Sequence, residues 1–325
     1  MKRIFTSLVF LIIVCTSFSQ EEDKLLVAEI KQSTVITEPA TLNRGFFKIG
    51  SEFTYAVEDR VLAESGKRIY STGNGWGRSS SENLHFYYGA TNRIEFGFIL
   101  PYKFRSMHYS YINETPASDT SILIKWKTQG NGIGDIQFTI RYQIIEGSKT
   151  KPSLTAGLTT SFPTGEKNPT NITDTLIFDY PTGSGEISVA PELTFRKITY
   201  PYSYSFSSCF LYSFGCEKKM LPYENTIHFK SGSRFILSCN FNFLLNDWIA
   251  VQNDLTYDNK QADTYKGTTM ITSFMPSNDS WALIYTPGIS FQFKKIRLAQ
   301  GVSIPIIGKF WIADPQYRIM LQYIL

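Results

Sequence analysis

The chain has 325 residues, enough for one large domain or two ordinary ones. Lys plus Arg is 32 and Asp plus Glu is 28, so the net charge of +4 lacks the strongly basic balance that nucleic-acid binding needs, and we expect no nucleic-acid partner. Aromatic residues make up 15% and charged residues only 18% of the chain, which excludes intrinsic disorder and is atypical of a cytosolic enzyme.

The N-terminus has the three parts of a secretory signal peptide. Lys2 and Arg3 precede an apolar run from Leu8 to Cys15, and Ser17-Phe18-Ser19 forms a small-x-small cleavage site before Gln20. This apolar run is too short to span a bilayer as a helix. We therefore predict a cleaved signal peptide over residues 1–19, with an uncleaved anchor as the alternative.

The mature chain alternates between apolar and polar residues. In the clearest stretch, from Ile136 to Ile144, every even position is apolar and every odd position is polar. Such period-two alternation predicts strands with one apolar and one polar face. Twelve strands are predicted, at 47–57, 84–90, 94–104, 136–144, 154–162, 187–195, 202–214, 235–243, 249–257, 281–293, 296–304 and 317–325.

The connections between these strands are alternately long and short. Residues 58–83 and 105–131 are long connections, whereas Thr91-Asn92-Arg93 and Lys294-Lys295 are tight turns. Long loops at one end and short turns at the other are typical of outer-membrane barrels. We predict an all-β fold, a transmembrane antiparallel up-and-down β-barrel of about 12 strands over residues 46–325, after a short periplasmic segment over 20–45. A soluble sandwich is the alternative, but it would leave sheet edges exposed.

This fold predicts the environment of the chain. We expect a Gram-negative outer membrane, with the N- and C-termini in the periplasm because the strand count is even. The expected partners are the lipid bilayer, a small-molecule solute and the outer-membrane barrel assembly machinery.

Four short motifs, taken in order, resemble one known family. They are Arg93-Ile94-Glu95-Phe96-Gly97-Phe98-Ile99-Leu100-Pro101-Tyr102, Gly132-Ile133-Gly134-Asp135, Ser161-Phe162-Pro163-Thr164-Gly165, and Ser303-Ile304-Pro305 followed by Gly308. From Thr37 to Leu325 the chain resembles the outer-membrane transporters named after the meta-cleavage pathway of phenol degradation, which are related to long-chain fatty acid and toluene channels. The resemblance implies an outer-membrane barrel that passes small hydrophobic molecules.

Charged residues on the polar strand faces are the candidates for lining the lumen. They are Lys48, Glu52, Arg93, Glu95, Lys103, Asp135, Arg141, Glu186, Glu192, Arg196, Arg234, Asp254, Arg297 and Arg318. Both signs occur, which fits a structural network of paired charges, and a permeation or binding role is the alternative. Pro101, Pro191 and Pro287 fall inside predicted strands and are candidate kinks, because proline cannot donate to the ladder.

The remaining motifs predict no chemistry. The three histidines show no metal-ligand spacing, so we expect no metal, no cofactor and no catalytic residue. Cleavage would leave Cys209, Cys216 and Cys239, and a Cys209–Cys216 bridge stays open. The sequence therefore predicts a passive channel for small, hydrophobic or aromatic molecules. The alternative is a structural or surface-interaction barrel whose long extracellular loops bind an external partner.

Overall fold

The chain forms a closed antiparallel β-barrel. The computed structural model describes residues 41–70, 76–114, 121–147, 151–167, 181–199, 201–220, 225–246, 248–266 and 278–325. The predictions for residues 1–40 lie outside these ranges. The strands are β1 (Phe47–Glu58), β2 (Arg60–Leu62), β3 (Arg68–Tyr70), β4 (Trp76–Gly89), β5 (Ile94–Glu114), β6 (Ser121–Ile133), β7 (Ile136–Ile145), β8 (Ser153–Phe162), β9 (Ser188–Thr199), β10 (Tyr202–Ser213), β11 (Cys216–Met220), β12 (Asn225–Lys230), β13 (Arg234–Asn246), β14 (Ile249–Lys260), β15 (Thr264–Lys266), β16 (Ser280–Phe293), β17 (Ile296–Lys309), β18 (Trp311–Ile312) and β19 (Gln316–Ile324).

Twelve of the described strands close into the barrel. Their order around the wall is β4-β1-β19-β17-β16-β14-β13-β10-β9-β8-β7-β5, and β5 pairs back with β4. The first strand meets the last in antiparallel register, from Lys48 opposite Ile324 to Ala56 opposite Gln316. Within the described ranges, no helix is long and apolar enough to cross a membrane.

The short turns and the long connections lie at opposite ends of the barrel, which we call the turn end and the loop end. At the turn end, Lys294 and Lys295 join β16 to β17, and Lys294 takes the left-handed φ of 50° that so tight a turn requires. The strands β1 and β19 also begin and end there, respectively. The predicted alternation of connection lengths is thus confirmed.

All twelve predicted strands are confirmed, but several extend further than predicted at the loop end. The strand predicted to end at Phe104 continues to Glu114 and pairs over this length with β6, which has β5 as its only partner strand among the described residues. Residues 58–83, predicted as a loop, contain β2, β3 and the first part of β4. The run Arg78-Ser79-Ser80-Ser81-Glu82 is polar on both faces, so it carries no alternation by which to recognise a strand.

Two small sheets lie at the loop end. One has the strand order β18-β2-β3 and the other β11-β12-β15. Leu62 of the first sheet and Ile227 of the second are fully buried. Leu62 packs beside Gly308 on the inner side of β17. A Cβ atom added to Gly308 would lie 3.0 Å from the Leu62 Cδ1 atom. The described parts of these connections therefore contain short paired strands.

The three candidate proline kinks differ. At Pro101 the register between neighbouring strands shifts by one residue, where Gly134 and Asp135 separate β6 from β7. At Pro191 the pairing of β9 with β10 is interrupted, and at Pro287 the pairing of β16 with β17 is interrupted. In both cases the pairing resumes in the same register. A proline removes a single donor, and these two strands absorb that loss without an extra residue. A shift does occur between Leu283 and Ile284.

The three cysteines among the described residues, Cys209, Cys216 and Cys239, are free in the structure. Cys209 and Cys216 are partly buried, and Cys239 is exposed. The bridge between Cys209 and Cys216 that the sequence left open is absent here.

The outer and inner faces of the barrel can be tested by charge substitution. Phe138 points outward and is 39% exposed, while its neighbour Gln137 faces inward. If the outer face meets lipid, Phe138→Arg should lower the free energy of unfolding in lipid vesicles by about 2–4 kcal/mol, and Gln137→Arg should cost clearly less. Chemical denaturation of the refolded protein measures both. Equal costs would contradict the assignment of the faces.

Candidate functional site: the barrel lumen

The lumen is lined by polar side chains, and the outside of the barrel is apolar. On β13, Asn240 and Asn242 are 3% and 6% exposed, whereas Phe241 between them is 44% exposed. The same inversion holds on other strands. Buried polar residues include Thr139, Thr155, Ser203, Ser205, Gln252, Thr286, Ser290 and Gln322. In a protein with an apolar core the two faces would be reversed. This arrangement defines the lumen as the place where a polar site can form.

The structure places the predicted lumen residues in three environments. Those that are buried are Lys48, Glu95, Asp135, Glu186, Arg196, Asp254 and Arg297. Those that are half-buried are Glu52, Arg141, Glu192, Arg234 and Arg318. Arg93 and Lys103 are exposed, and Arg93 lies in the turn that precedes β5 instead of on a strand. The candidates are therefore spread along the lumen instead of forming one cluster.

A cluster of charged residues lies in the lumen at the turn end. The Arg141 Nη1 atom lies 3.0 Å from the Glu95 Oε1 atom, and Glu95 is fully buried. The backbone N–H of Leu42 donates to the second carboxylate oxygen at 2.9 Å. Leu42 belongs to the segment before β1, which thus enters the barrel and docks on its charged lining. Thr41 lies beside it and is hydrogen-bonded to Gln143 at 3.0 Å.

Tyr87 completes this cluster. The Lys48 Nζ atom lies 4.3 Å from the centroid of the Tyr87 ring, and the Arg141 Cζ atom lies 5.4 Å from it. Cations at such distances are attracted to the face of an aromatic ring. Gly97 makes room for the ring, because a Cβ at that position would lie 2.6 Å from Tyr87 Cε1. The prediction of lumen residues missed Tyr87, although alternation places this aromatic residue on the polar face.

Hydrogen-bonded pairs join β13 to β14 further along the lumen. The Arg234 guanidinium binds the Asp258 carboxylate through both Nε and Nη2, and the Nε distance is 2.7 Å. Asn240 donates to Asp254, and Asn242 donates to Asn240 at 2.6 Å. These contacts satisfy the Asp258 carboxylate and one carboxylate oxygen of Asp254, groups that would be costly to bury alone.

At the loop end, two predicted lumen carboxylates hold loops in place. Asp135 accepts hydrogen bonds from the backbone N–H of Gly165 at 3.1 Å and of Ser184 at 2.6 Å. Glu186 accepts from the backbone N–H of Ser231 at 2.8 Å. Both are buried because the loops fold over them. Their sequence positions indicated the inner face, but the hydrogen bonds across the loops could not be read from the alternation.

A third carboxylate ties the end of β1 to the last connection. Asp314 accepts from the backbone N–H groups of Asp59 and Arg60, both at 2.8 Å, and from the Arg60 Nε atom at 2.7 Å. Burial alone would raise the pKa of Asp314, but its hydrogen bonds to Asp59 and Arg60 outweigh burial and lower that pKa. The hydrogen bond to Asp314 raises the pKa of Asp59. The β18-β2-β3 sheet is thus anchored by a carboxylate that stays ionised.

The described residues contain no group of three or more His, Cys, Asp or Glu side chains arranged to hold a metal ion.

No protein-family model matches the sequence, and no curated protein matches it. The chain is similar in structure to an outer-membrane channel from Pseudomonas putida F1, with a TM-score of 0.67 and 11% identity over 90% of this chain and 100% of that one.

Weaker similarities reach other outer-membrane proteins. A FadL homologue from Pseudomonas aeruginosa has a TM-score of 0.42 and 8% identity, with 86% of this chain and 89% of that chain covered. The toluene transporter TbuX from Ralstonia pickettii has a TM-score of 0.41 and 8% identity, with 87% and 90% covered. At 11% identity, the likeness to the Pseudomonas putida channel shows the barrel fold alone.

The pairing of Arg141 with Glu95 can be tested at the turn end. Arg141→Met leaves the Glu95 carboxylate buried without its cation, so the free energy of unfolding should fall by about 3 kcal/mol. Adding Glu95→Gln to this variant should recover much of the loss. The control Arg93→Met removes an arginine from the exposed turn and should change stability by about 0.5 kcal/mol or less. An Arg141→Met variant as stable as Arg93→Met would refute the role of the pair.

Proposed function

We propose that this protein is an outer-membrane channel through which small molecules cross passively, and that it catalyses no reaction. The observation that carries the proposal is the inversion of the barrel, with aromatic and aliphatic side chains outside and amide, hydroxyl and charged side chains inside. A closed sheet satisfies its backbone hydrogen bonds internally, which is the condition for strands to cross a bilayer. The similarity to the Pseudomonas putida channel supports this proposal.

The orientation follows from the two ends of the barrel. In outer-membrane barrels the short turns face the periplasm and the longer loops face outward. We therefore propose that the turn end, with both ends of the barrel chain, faces the periplasm. The Leu42 segment then blocks part of the periplasmic opening, and the barrel assembly machinery is the partner that would insert the chain.

The size of the solute follows from the strand count and the packing of the lumen. Barrels of eight strands are filled by their own side chains, whereas those of sixteen or more leave an aqueous channel. Twelve strands lie between these cases, and side chains such as Asn240 and Gln252 are almost inaccessible to water. A solute must therefore displace side chains as it passes, which favours small molecules.

The chemistry of the solute follows from the lining. The resemblance found in the sequence favours hydrophobic or aromatic molecules. The described lumen instead offers hydroxyl and amide groups on several neighbouring strands, such as Ser205, Asn242 and Thr286. A solute that gives up its water shell there can replace it with hydrogen bonds. We therefore propose small hydrogen-bonding solutes, and the aromatic solute is the competing hypothesis.

Liposome swelling tests the channel and its solute together. Liposomes that contain the protein should swell in arabinose faster than empty ones. Ser205→Trp places a large ring on the inner face and should return swelling close to the rate of empty liposomes. The matched control Phe206→Trp, on the outer face of the same strand, should swell like the unchanged protein.

Three results would contradict parts of this proposal. The absence of swelling in any solute would refute the channel. Equal swelling of Ser205→Trp and Phe206→Trp would place the path outside the lumen. Passage of benzoate without passage of arabinose would favour the aromatic solute that the sequence predicted.

A further inference from the structure

Two oppositely charged residues of the lumen stand apart from the paired network. Asp254 is 3% exposed, and while one carboxylate oxygen accepts from Asn240, its Oδ2 atom is buried without a hydrogen-bond partner. On β19, the Nε atom of Arg318 is likewise buried without a partner. Other charges of the lumen, such as Arg141 with Glu95 and Arg234 with Asp258, form ion pairs. In the part of the chain that the structure describes, neither Asp254 nor Arg318 has an ion-pair partner within 4.0 Å.

Strand register places these two residues on facing sides of a smooth patch. Arg318 lies opposite Gly301, Gly301 lies opposite Gly288, and Gly288 lies opposite Gln252. Asp254 is two residues from Gln252 on the same strand and therefore points to the same side of the sheet. Arg318 and Gln252 are thus separated along the wall by three strand spacings, about 14 Å, and Asp254 lies two residues, about 7 Å, further along its strand, opposite Thr286.

The two glycines make the floor of this patch. No side chain projects from the wall between Arg318 and Gln252 at this level. A Cβ on Gly288 would lie 2.8 Å from the backbone oxygen of Gln300, and one on Gly301 would lie 3.2 Å from that of Pro287. A side chain at either position would therefore crowd the backbone of the neighbouring strand. The side chain of Gln252 borders the floor, with its Oε1 atom 3.5 Å from the Gly288 Cβ position.

Such a patch has the chemistry of a site for a molecule with two charges. A buried carboxylate oxygen with no donor requires an ammonium or another donor, and a buried guanidinium N–H requires an acceptor. A molecule with only one charge would leave the other protein group unmatched. A small molecule with both charges close together would satisfy the two groups at once, and the glycine floor leaves room for its carbon atoms.

We propose that this patch binds small zwitterions of the α-amino acid class. The ammonium group of the ligand donates to the Asp254 carboxylate, and the carboxylate of the ligand accepts from the Arg318 guanidinium, over the floor formed by Gly288 and Gly301. Charge-assisted hydrogen bonds of this kind are the strong ones, and they are stronger in a site shielded from water. The inference rests on the proposed channel only for the route by which the ligand arrives, and it names the solute class that this channel would select.

Binding to the purified protein in detergent tests the site without requiring transport. The probe is L-alanine, and two further probes each lack one of its charged groups: propionate has no ammonium and ethylamine has no carboxylate. Isothermal titration should show L-alanine binding about tenfold more tightly than either of them. This comparison uses the unchanged protein, so it does not depend on whether any variant folds.

Variants then assign the two charges. Asp254→Asn should reduce the affinity for L-alanine to that for propionate, and Arg318→Gln should reduce it to that for ethylamine. The control Asp258→Asn removes a carboxylate four residues along the same face, which is already paired with Arg234, and should bind L-alanine like the unchanged protein. The band shift between heated and unheated samples on gels confirms that each variant is folded.

Several results would overturn the inference. If L-alanine and propionate bind equally, the patch is an anion site only, and if L-alanine and ethylamine bind equally, it is a cation site only. If none of the three binds, Asp254 and Arg318 are a structural pair bridged by water. Arabinose swelling separates this inference from the channel itself: swelling without L-alanine binding refutes only the zwitterion site, and L-alanine binding without swelling refutes only the channel.

Discussion

Closure of the sheet between β1 and β19 is the constraint on which the rest of the structure depends. These strands are the first and the last of the barrel, and they pair in register from Lys48 to Ala56 on one side and from Ile324 to Gln316 on the other. Without this ladder, two long edges would carry unpaired N–H and C=O groups, which a bilayer cannot satisfy. Because this contact joins the first and the last strand of the barrel, the wall can close only when the last strand has been made.

Closure also decides where each side chain can lie. In a strand with period two, one face must meet the surroundings and the other must meet the lumen. Outward residues such as Phe241 and Leu255 are left exposed, and inward residues such as Asn240 and Asp254 are crowded together. Crowded charges are costly unless paired, so Glu95 meets Arg141 and Asp258 meets Arg234. Asp254 and Arg318 depart from this pattern, and this departure is the basis for assigning them a ligand.

The strands could be predicted from the sequence because alternation is a local signal that each strand carries alone. It failed where both faces are polar, as in the first part of β4, and it placed the end of β5 too early, at Phe104 instead of Glu114. The charged residues that face the lumen could be predicted as a set, because alternation assigns them to the polar face of each strand. Their partners could not, because Asp135 meets Ser184 and Glu95 meets Leu42 only after distant segments fold together. The glycine floor opposite Arg318 depends on the register of β16, β17 and β19, which alternation leaves undetermined.

The central claim is that an inverted barrel crosses the outer membrane with its loop end outside. Labelling of single cysteines on intact cells tests this claim most directly. Ser65→Cys lies at the exposed loop end and Asn92→Cys at the exposed turn end, each in a background with the native cysteines replaced by serine. The account predicts that an impermeant thiol reagent labels Ser65→Cys on intact cells and labels Asn92→Cys only after the outer membrane is permeabilised. Labelling of both on intact cells, or of Asn92→Cys alone, would contradict it.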